Sequence, residues 1–310
     1  MSKSSITEWD IIFISYDEPN AEENWANLLQ ICPWAKRVDK VKGLDACHKA
    51  AANLSETDRF LSVDGDCKVD PRFFDIQMNF QDEKFKETTL SWAGQNHTNG
   101  LIYGNGGLKL WWKQNVLDMR THEHPDRKEE EKVDFCWHQN YIQMYDCYST
   151  TYINGSPFQA WKSGFREGVK LSLDQGKKVD PEKFQASIWP LNYKRLLVWA
   201  SIGTDVEYGE WTMLGTRMGI LKTNLTDWNF GEISDYDWMK SYFEEEVYPE
   251  WWPQSVGLKA AHFSDRLYDL GNHLRKEMGI QVAELSSNES KFFKTVSEGQ
   301  RRRGASITED

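Results

Sequence analysis

Apolar and polar positions come in alternating blocks through the first fifth of the chain. Trp9 to Tyr16 is rich in β-branched and aromatic residues, the pattern of a strand covered on both faces of a parallel sheet. It ends at Asp17-Glu18-Pro19-Asn20, where Asn20 and Glu23 have the spacing of a capping box. Ala21, Trp25, Leu28 and Leu29 then share one face of a helix. A second short strand is predicted within Trp34 to Val41. Gly43 opens a second helix with Leu44, Cys47, Ala51 and Leu54 on one face, and Phe60 to Val63 forms a third buried strand ending in Asp64-Gly65-Asp66. This order specifies a βαβαβ unit with a parallel sheet, and such sheets bind ligands beyond the carboxyl ends of their strands.

Periodicity is less regular afterwards. Thr88 to Trp92 reads as a strand, a polar loop carries Asn96, His97 and Asn99, and Leu101 to Trp112 places a glycine cluster before an apolar run. Glycines there allow either close approach to a ligand or a bulge. The charge run Asp126 to Lys132 reads as an exposed loop dividing the chain. The expected organisation is a nucleotide half over 1–125, a second half with a helical C-terminal portion over 133–283, and a weakly held polar tail over 284–310. Within the second half, Leu191 to Lys222 reads as largely helical, with Leu196, Trp199, Ala200, Met213, Leu214 and Met218 as core. Asp265 to Met278 reads as a closing helix.

The candidate chemistry sits where the third strand ends. Strand side chains repeat every two residues, so Asp64 and Asp66 leave it on one side. Two hard oxygen ligands at a sheet edge suit Mg²⁺ or Mn²⁺, with water and substrate phosphates in the other positions. Asp17 and Glu18 fall at the same edge. Spacing alone carries little, because Asp235-Tyr236-Asp237 repeats it without a preceding strand. A calcium EF-hand starting at Asp64 fails, with Val69 in place of the glycine and Lys68 in place of a ligand.

Composition narrows the classes. The 310 residues include 15 Trp, far above ordinary usage, and aromatics in such number line sugar or base sites as well as cores. Five cysteines without a Cys-x-x-Cys pair point to a reducing compartment. Neither a signal-peptide core nor a membrane-length apolar run occurs, so a soluble protein of the cytoplasm, with no membrane partner, is expected. The net charge of −11 opposes tight nonspecific nucleic-acid binding while permitting local basic clusters, of which Lys162 to Lys178 and Arg301-Arg302-Arg303 are examples.

Ile11 to Asn20, the helix Gly43 to Leu54 and above all Leu61 to Asp66 resemble the nucleotide-binding half of GT-A glycosyltransferases, especially the family-2-like ones of tailed phages. The resemblance implies an α/β fold, Rossmann-like, with a mixed, mainly parallel sheet flanked by helices and a helical C-terminal portion. It also implies a metal-dependent transfer of a hexosyl or pentosyl group from a nucleoside-diphosphate sugar, with UDP as the expected carrier. Asp64 and Asp66 would hold Mn²⁺ or Mg²⁺ against the diphosphate, and His262 would add a late metal ligand. Asp17, Glu18, Lys42, Lys49 and Asp64 would line the donor, Gly106 and Gly107 the acceptor side. The stretch Glu131 to Trp137 resembles the family's Glu-Asp-x-Asp segment, but Lys132 stands where the base should be. A cation cannot take a proton there, so either Asp134 is the first candidate base, with Glu131 and Glu167 as others, or the enzyme retains configuration.

The same resemblance, extended to phage enzymes that glycosylate modified bases, implies 5-hydroxymethylcytosine in DNA as acceptor and a phage protein working in the host cytoplasm. Trp111, Trp112 and Trp161 are candidates to stack a flipped base. The rival readings are a transferase building surface polysaccharide or glycan, and a nucleotide-sugar-binding protein of the same fold without catalysis.

Overall fold

In the computed structural model the described residues are 3–79, 85, 87–123, 140–253 and 259–304. They divide into two compact units, the first comprising the described residues to 123 with 140–153, the second running over 154–301.

The first unit is built on seven strands: β1 (Asp10–Ser15), β2 (Lys36–Asp39), β3 (Arg59–Asp64), β4 (Cys67–Val69), β5 (Thr89–Asn96), β6 (Ile102–Trp112) and β7 (Tyr141–Thr151). Their spatial order is β2-β1-β3-β6-β5-β7-β4. The β1–β2, β1–β3 and β5–β7 ladders are parallel, whereas β3–β6, β5–β6 and β4–β7 are antiparallel. The sheet is therefore evenly mixed rather than mainly parallel. The parallel part is the βαβαβ unit expected from the sequence; in the antiparallel part, β5 and β6 are joined by the five residues 97–101, too short a link for the crossover that a parallel neighbour needs.

β1 shows why its sequence is apolar on both sides. Ile11 and Phe13 enter one core with Leu28 of helix α1 (Ala21–Ile31). Ile12 and Ile14 enter another with Cys47, Ala51 and Ala52 of helix α2 (Leu44–Leu54). Helix α3 (Lys113–Asp118) follows β6 and adds Val116 to that second core. Asn20 stands at the N-cap of α1, but its side chain does not cap; Nδ2 donates instead to the Tyr152 carbonyl at 2.8 Å.

The link Gly65-Asp66 shapes the sheet. Three residue steps span about 11 Å at most, so the start of β4, last in the order, lies close to the end of β3, third in the order. The sheet must curl to allow this. A Cβ placed on Gly107 of β6 would lie 3.0 Å from Asp64 Cβ and 3.1 Å from Cys67 Cβ.

The second unit is helical, with α4 (Pro157–Leu171), α5 (Pro190–Ser201), α6 (Gly209–Leu225), α7 (Lys259–Met278) and α8 (Ser287–Gly304) as its longer elements. The run Leu191 to Lys222 is largely helical as expected, divided into two helices by the segment 202–208, where Tyr208 takes a left-handed φ of 56°. Helices α4 and α6 pack backbone to backbone: Gly164 and Gly168 lie on the carbonyl side of Thr212 and Thr216, while Gly215 and Gly219 lie against Trp161 and Phe165.

Over 284–297 the tail is tied down rather than weakly held. Arg217 of α6 is fully buried and donates to the Ala200 carbonyl at 3.0 Å and to Glu284 Oε2 at 2.9 Å. Lys294 of α8 pairs with Asp205 at 2.6 Å, and Ser290 is buried. No helix among the described residues is long and apolar enough to cross a membrane.

Candidate functional site

The end of β3 gathers the polar groups of the first unit. Asp64 is paired in register with Ile14 of β1, and its side chain remains 39% exposed. Nζ of Lys109, on β6, stands 3.8 Å from Asp64 Oδ2 and donates to the Gly106 carbonyl at 3.2 Å. Glu18 reaches the same turn: its Oε2 accepts from the Tyr16 N–H at 2.8 Å and lies 2.9 Å from where a Cβ on Gly65 would stand. The same Cβ would stand 3.0 Å from Ser15 Cβ, so a side chain at Gly65 would displace the Glu18 carboxylate from the turn. The buried Asn24 of α1 donates to the Gly65 carbonyl at 2.9 Å, and the Asp66 carbonyl accepts from the Tyr152 N–H at 2.7 Å. The turn carrying the two aspartates is clamped from both sides.

The field around this turn is negative and dry beneath. Burial, with Asp64 adding its charge, pushes the Cys47 thiol up to about 12, and burial raises Cys67 well above its ordinary value. His48 is buried, its Nδ1 donating to the Leu44 carbonyl at 2.8 Å; burial lowers its pKa despite the pull of Asp64. Cys67 Sγ donates to Asp66 Oδ1 at 3.4 Å. Across the edge, Ser15 donates to Asp39 at 2.7 Å, and that bond, with Arg37 beside it, holds the Asp39 carboxyl below its ordinary range. The backbone N–H groups of Leu44 and Asp45, at the start of α2, donate to Glu123 at 2.7 and 3.1 Å, the place where a helix attracts negative charge.

Several expected site residues are buried, already paired, or carried by the second unit. Trp111 is 1% exposed, packs edge-on against His48 and donates to Ser62 Oγ at 2.9 Å, so it is core and has no face for an acceptor. Trp112 pairs with Arg59 at the opposite end of β3, about 15 Å along the strand from Asp64, and lies under the Arg59 guanidinium. Gly106 and Gly107 are buried and packed against Gly94, Cys67 and Asp64, beside a register break at Trp92 to Gly94. They serve strand packing at a bulge, not an open acceptor loop. Lys49 is paired with Asp45 at 2.8 Å. Lys42 and Asp17 are exposed. Glu167, beside Lys170 at 3.3 Å, and His262 belong to α4 and α7 of the second unit, and Trp161 is buried there. Glu131, Lys132 and Asp134 lie outside the described residues.

Sequence reasoning missed Lys109, Asn24 and Tyr152. Lys109 is a lone charge between Leu108 and Leu110 in a strand, and Asn24 shares a helical face with Leu28; both are polar residues at apolar positions, which was the available signal. Tyr152 stacks on His97 at 4.6 Å, with Lys68 Nζ 4.9 Å over its ring, a contact between segments far apart in sequence.

No protein-family model matches the chain, and no curated protein matches it. Among solved structures it is similar to a glycosyltransferase involved in the glycosylation of the major capsid of PBCV-1, at 13% identity and a TM-score of 0.28, over 46% of this chain and 92% of that one. It is also similar to S. aureus TarS 1-349 in complex with UDP-GlcNAc, at 10% identity and a TM-score of 0.30, over 97% of this chain and 94% of that one. Likenesses this distant fix neither fold nor activity.

The carboxylates present suit a hard cation. Asp64, Asp66 and Glu18 offer oxygen donors at a partly exposed edge, although no three His, Cys, Asp or Glu side chains among the described residues close around one point. A magnesium-type ion does not need such a cage, since it keeps waters and takes one or two carboxylates with substrate phosphates. The clamp on the turn is testable. Asn24→Ala leaves the Gly65 carbonyl buried without its donor, and a loss of about 2 kcal/mol of stability is expected in urea unfolding. An unchanged midpoint would remove Asn24 from this role.

Proposed function

We propose that the protein transfers a sugar from a nucleoside-diphosphate donor, with UDP as the carrier, to a hydroxyl acceptor. The observation that carries the reading is the clamped Asp64-Gly65-Asp66 turn, held between Glu18, Asn24 and Lys109 at the carboxyl edge of a parallel βαβαβ unit. The resemblance of residues 11–20, 43–54 and 61–66 to GT-A glycosyltransferases supports it.

Asp64 and Asp66 would hold Mn²⁺ or Mg²⁺, which when bound supplies charge neutralisation to the departing diphosphate. Lys109 adds a fixed ammonium beside the same carboxylate, and a preorganised cation stabilises charge as it develops on a leaving group. Asp134 is proposed as the base that takes the acceptor's proton, with Glu167 as the second candidate. The proposed acceptor is 5-hydroxymethylcytosine in phage DNA, with transfer into a surface glycan as the rival.

A thermal-shift panel of nucleotide sugars with and without Mn²⁺ tests the donor. At a hundredfold excess over Kd, binding to the native state adds about 2.7 kcal/mol, a rise of about 4 °C for a chain of 310 residues. One UDP-sugar giving that rise only with the metal is expected; no rise with any nucleotide sugar would sink the reading. Label passing into hydroxymethylated but not plain DNA would identify the acceptor.

A further inference from the structure

The second unit contains a cavity of about 400 Å³ whose walls include Tyr208, Trp211, Tyr248, Trp252, Glu207 and Glu210. Its volume falls in the range of small-molecule sites. The aromatic wall is built in layers. Phe263 is buried at its base, 4.7 Å from Trp211, and Tyr248 stacks on Trp211 at 5.7 Å and 15° while remaining 39% exposed. Trp252 stands 6.4 Å from Trp211 at a tilt of 50°. The two carboxylates flank these rings: Glu210 accepts from Ser264 Oγ at 3.1 Å, and Glu207 is exposed beside Tyr208. The neighbouring Glu207 charge holds the Tyr208 phenol above its ordinary value.

Elsewhere in this unit the chain supplies its own cations to such surfaces. Arg266 lies 4.6 Å over Trp251 and pairs with Glu250. Lys222 covers Trp228 and Tyr242 at 5.3 and 4.9 Å, and Lys162 and Arg166 cover Tyr236 at 5.2 and 5.1 Å. The cavity repeats the combination of rings and carboxylates, yet among the described residues no Lys, Arg or His lines it and no Lys or Arg lies over Trp211, Tyr248 or Trp252. A ring face is negative and attracts a cation, more strongly where a carboxylate stands nearby and water is excluded. An anion would be repelled, and a neutral polyol would find hydroxyls and carboxylates but no amide or cationic donor on the side chains.

We propose that this cavity binds a small organic ammonium group, quaternary or protonated, between its aromatic wall and Glu207 and Glu210. The site lies apart in sequence from the donor turn and does not depend on the glycosyltransferase reading.

Calorimetric titration of the full chain with choline and with its uncharged isostere 3,3-dimethyl-1-butanol, up to ~20 mM, tests this. Choline is expected to bind saturably and at least about tenfold more tightly than the isostere, since shape is matched and charge alone differs. Glu207→Gln, at an exposed position, and Trp252→Leu should each weaken choline about tenfold without changing the circular dichroism. Equal affinity for the two probes, no saturable choline binding, or unaltered affinity in Glu207→Gln would overturn the proposal. Since Glu207→Gln does not touch the core, loss of binding there cannot be attributed to misfolding.

Discussion

Asp64→Asn is expected to abolish metal-supported nucleotide-sugar binding and to lower transfer by about 10²–10³-fold, the loss seen when one preorganised electrostatic group is removed from a leaving-group site. The fold should survive the change. The side chain is 39% exposed, and its ion pair with Lys109 is long, at 3.8 Å. Lys109 also keeps its bond to the Gly106 carbonyl. The chain contains its own control in the second Asp-x-Asp. Asp235 caps a short helix by accepting from the Trp238 N–H at 2.9 Å, so Asp237→Asn should leave nucleotide binding unaltered. Titrating UDP into each variant, with and without Mn²⁺, separates the two. If Asp64→Asn bound UDP with the same metal dependence as the parent chain, the donor site would have to lie elsewhere.

The parts of this site that were legible in the sequence are those made by neighbours along the chain. The run Phe60 to Asp66 announces a buried strand that ends in carboxylates, and helices α1 and α2 follow from period-3.6 faces. The parts that were not legible depend on how the sheet closes. The two-residue link after β3 sends the chain to the far edge of the sheet, and only the curl brings Cys67, Gly107 and Tyr152 against the turn. Gly106 and Gly107 were read with two meanings, and the bulge beside Gly94 decides for packing. Trp111 was misplaced because an abundance of tryptophan does not say which rings reach the surface; strand alternation and the partner Ser62 put this one inside. The tail was misread for a related reason. Its composition is polar, but Glu284 and Lys294 answer buried charges on Arg217 and Asp205, and a charge that completes a buried pair looks like a solvated one in sequence.

The glycine contacts between α4 and α6 carry the largest expected effect on stability. Gly164 and Gly168 on one helix, Gly215 and Gly219 on the other, repeat at a spacing of four, which sets them on one face. A Cβ on Gly215 would stand 2.8 Å from the Phe165 nitrogen and 2.9 Å from the Trp161 carbonyl carbon, both backbone atoms that no rotamer change can move. Gly215→Val must push the helices apart and open the core around Trp161, Phe165 and Leu214, at an expected cost of about 3 kcal/mol and about 5 °C in Tm. Gly215→Ala gives the sharper test because two effects oppose each other. Helix propensity alone would make alanine more stable by about 1 kcal/mol, since glycine loses more backbone entropy in a helix. Close packing predicts the opposite sign. A destabilised Gly215→Ala chain in urea unfolding is therefore the expected result, and a stabilised one would mean that the helices do not approach as closely in solution.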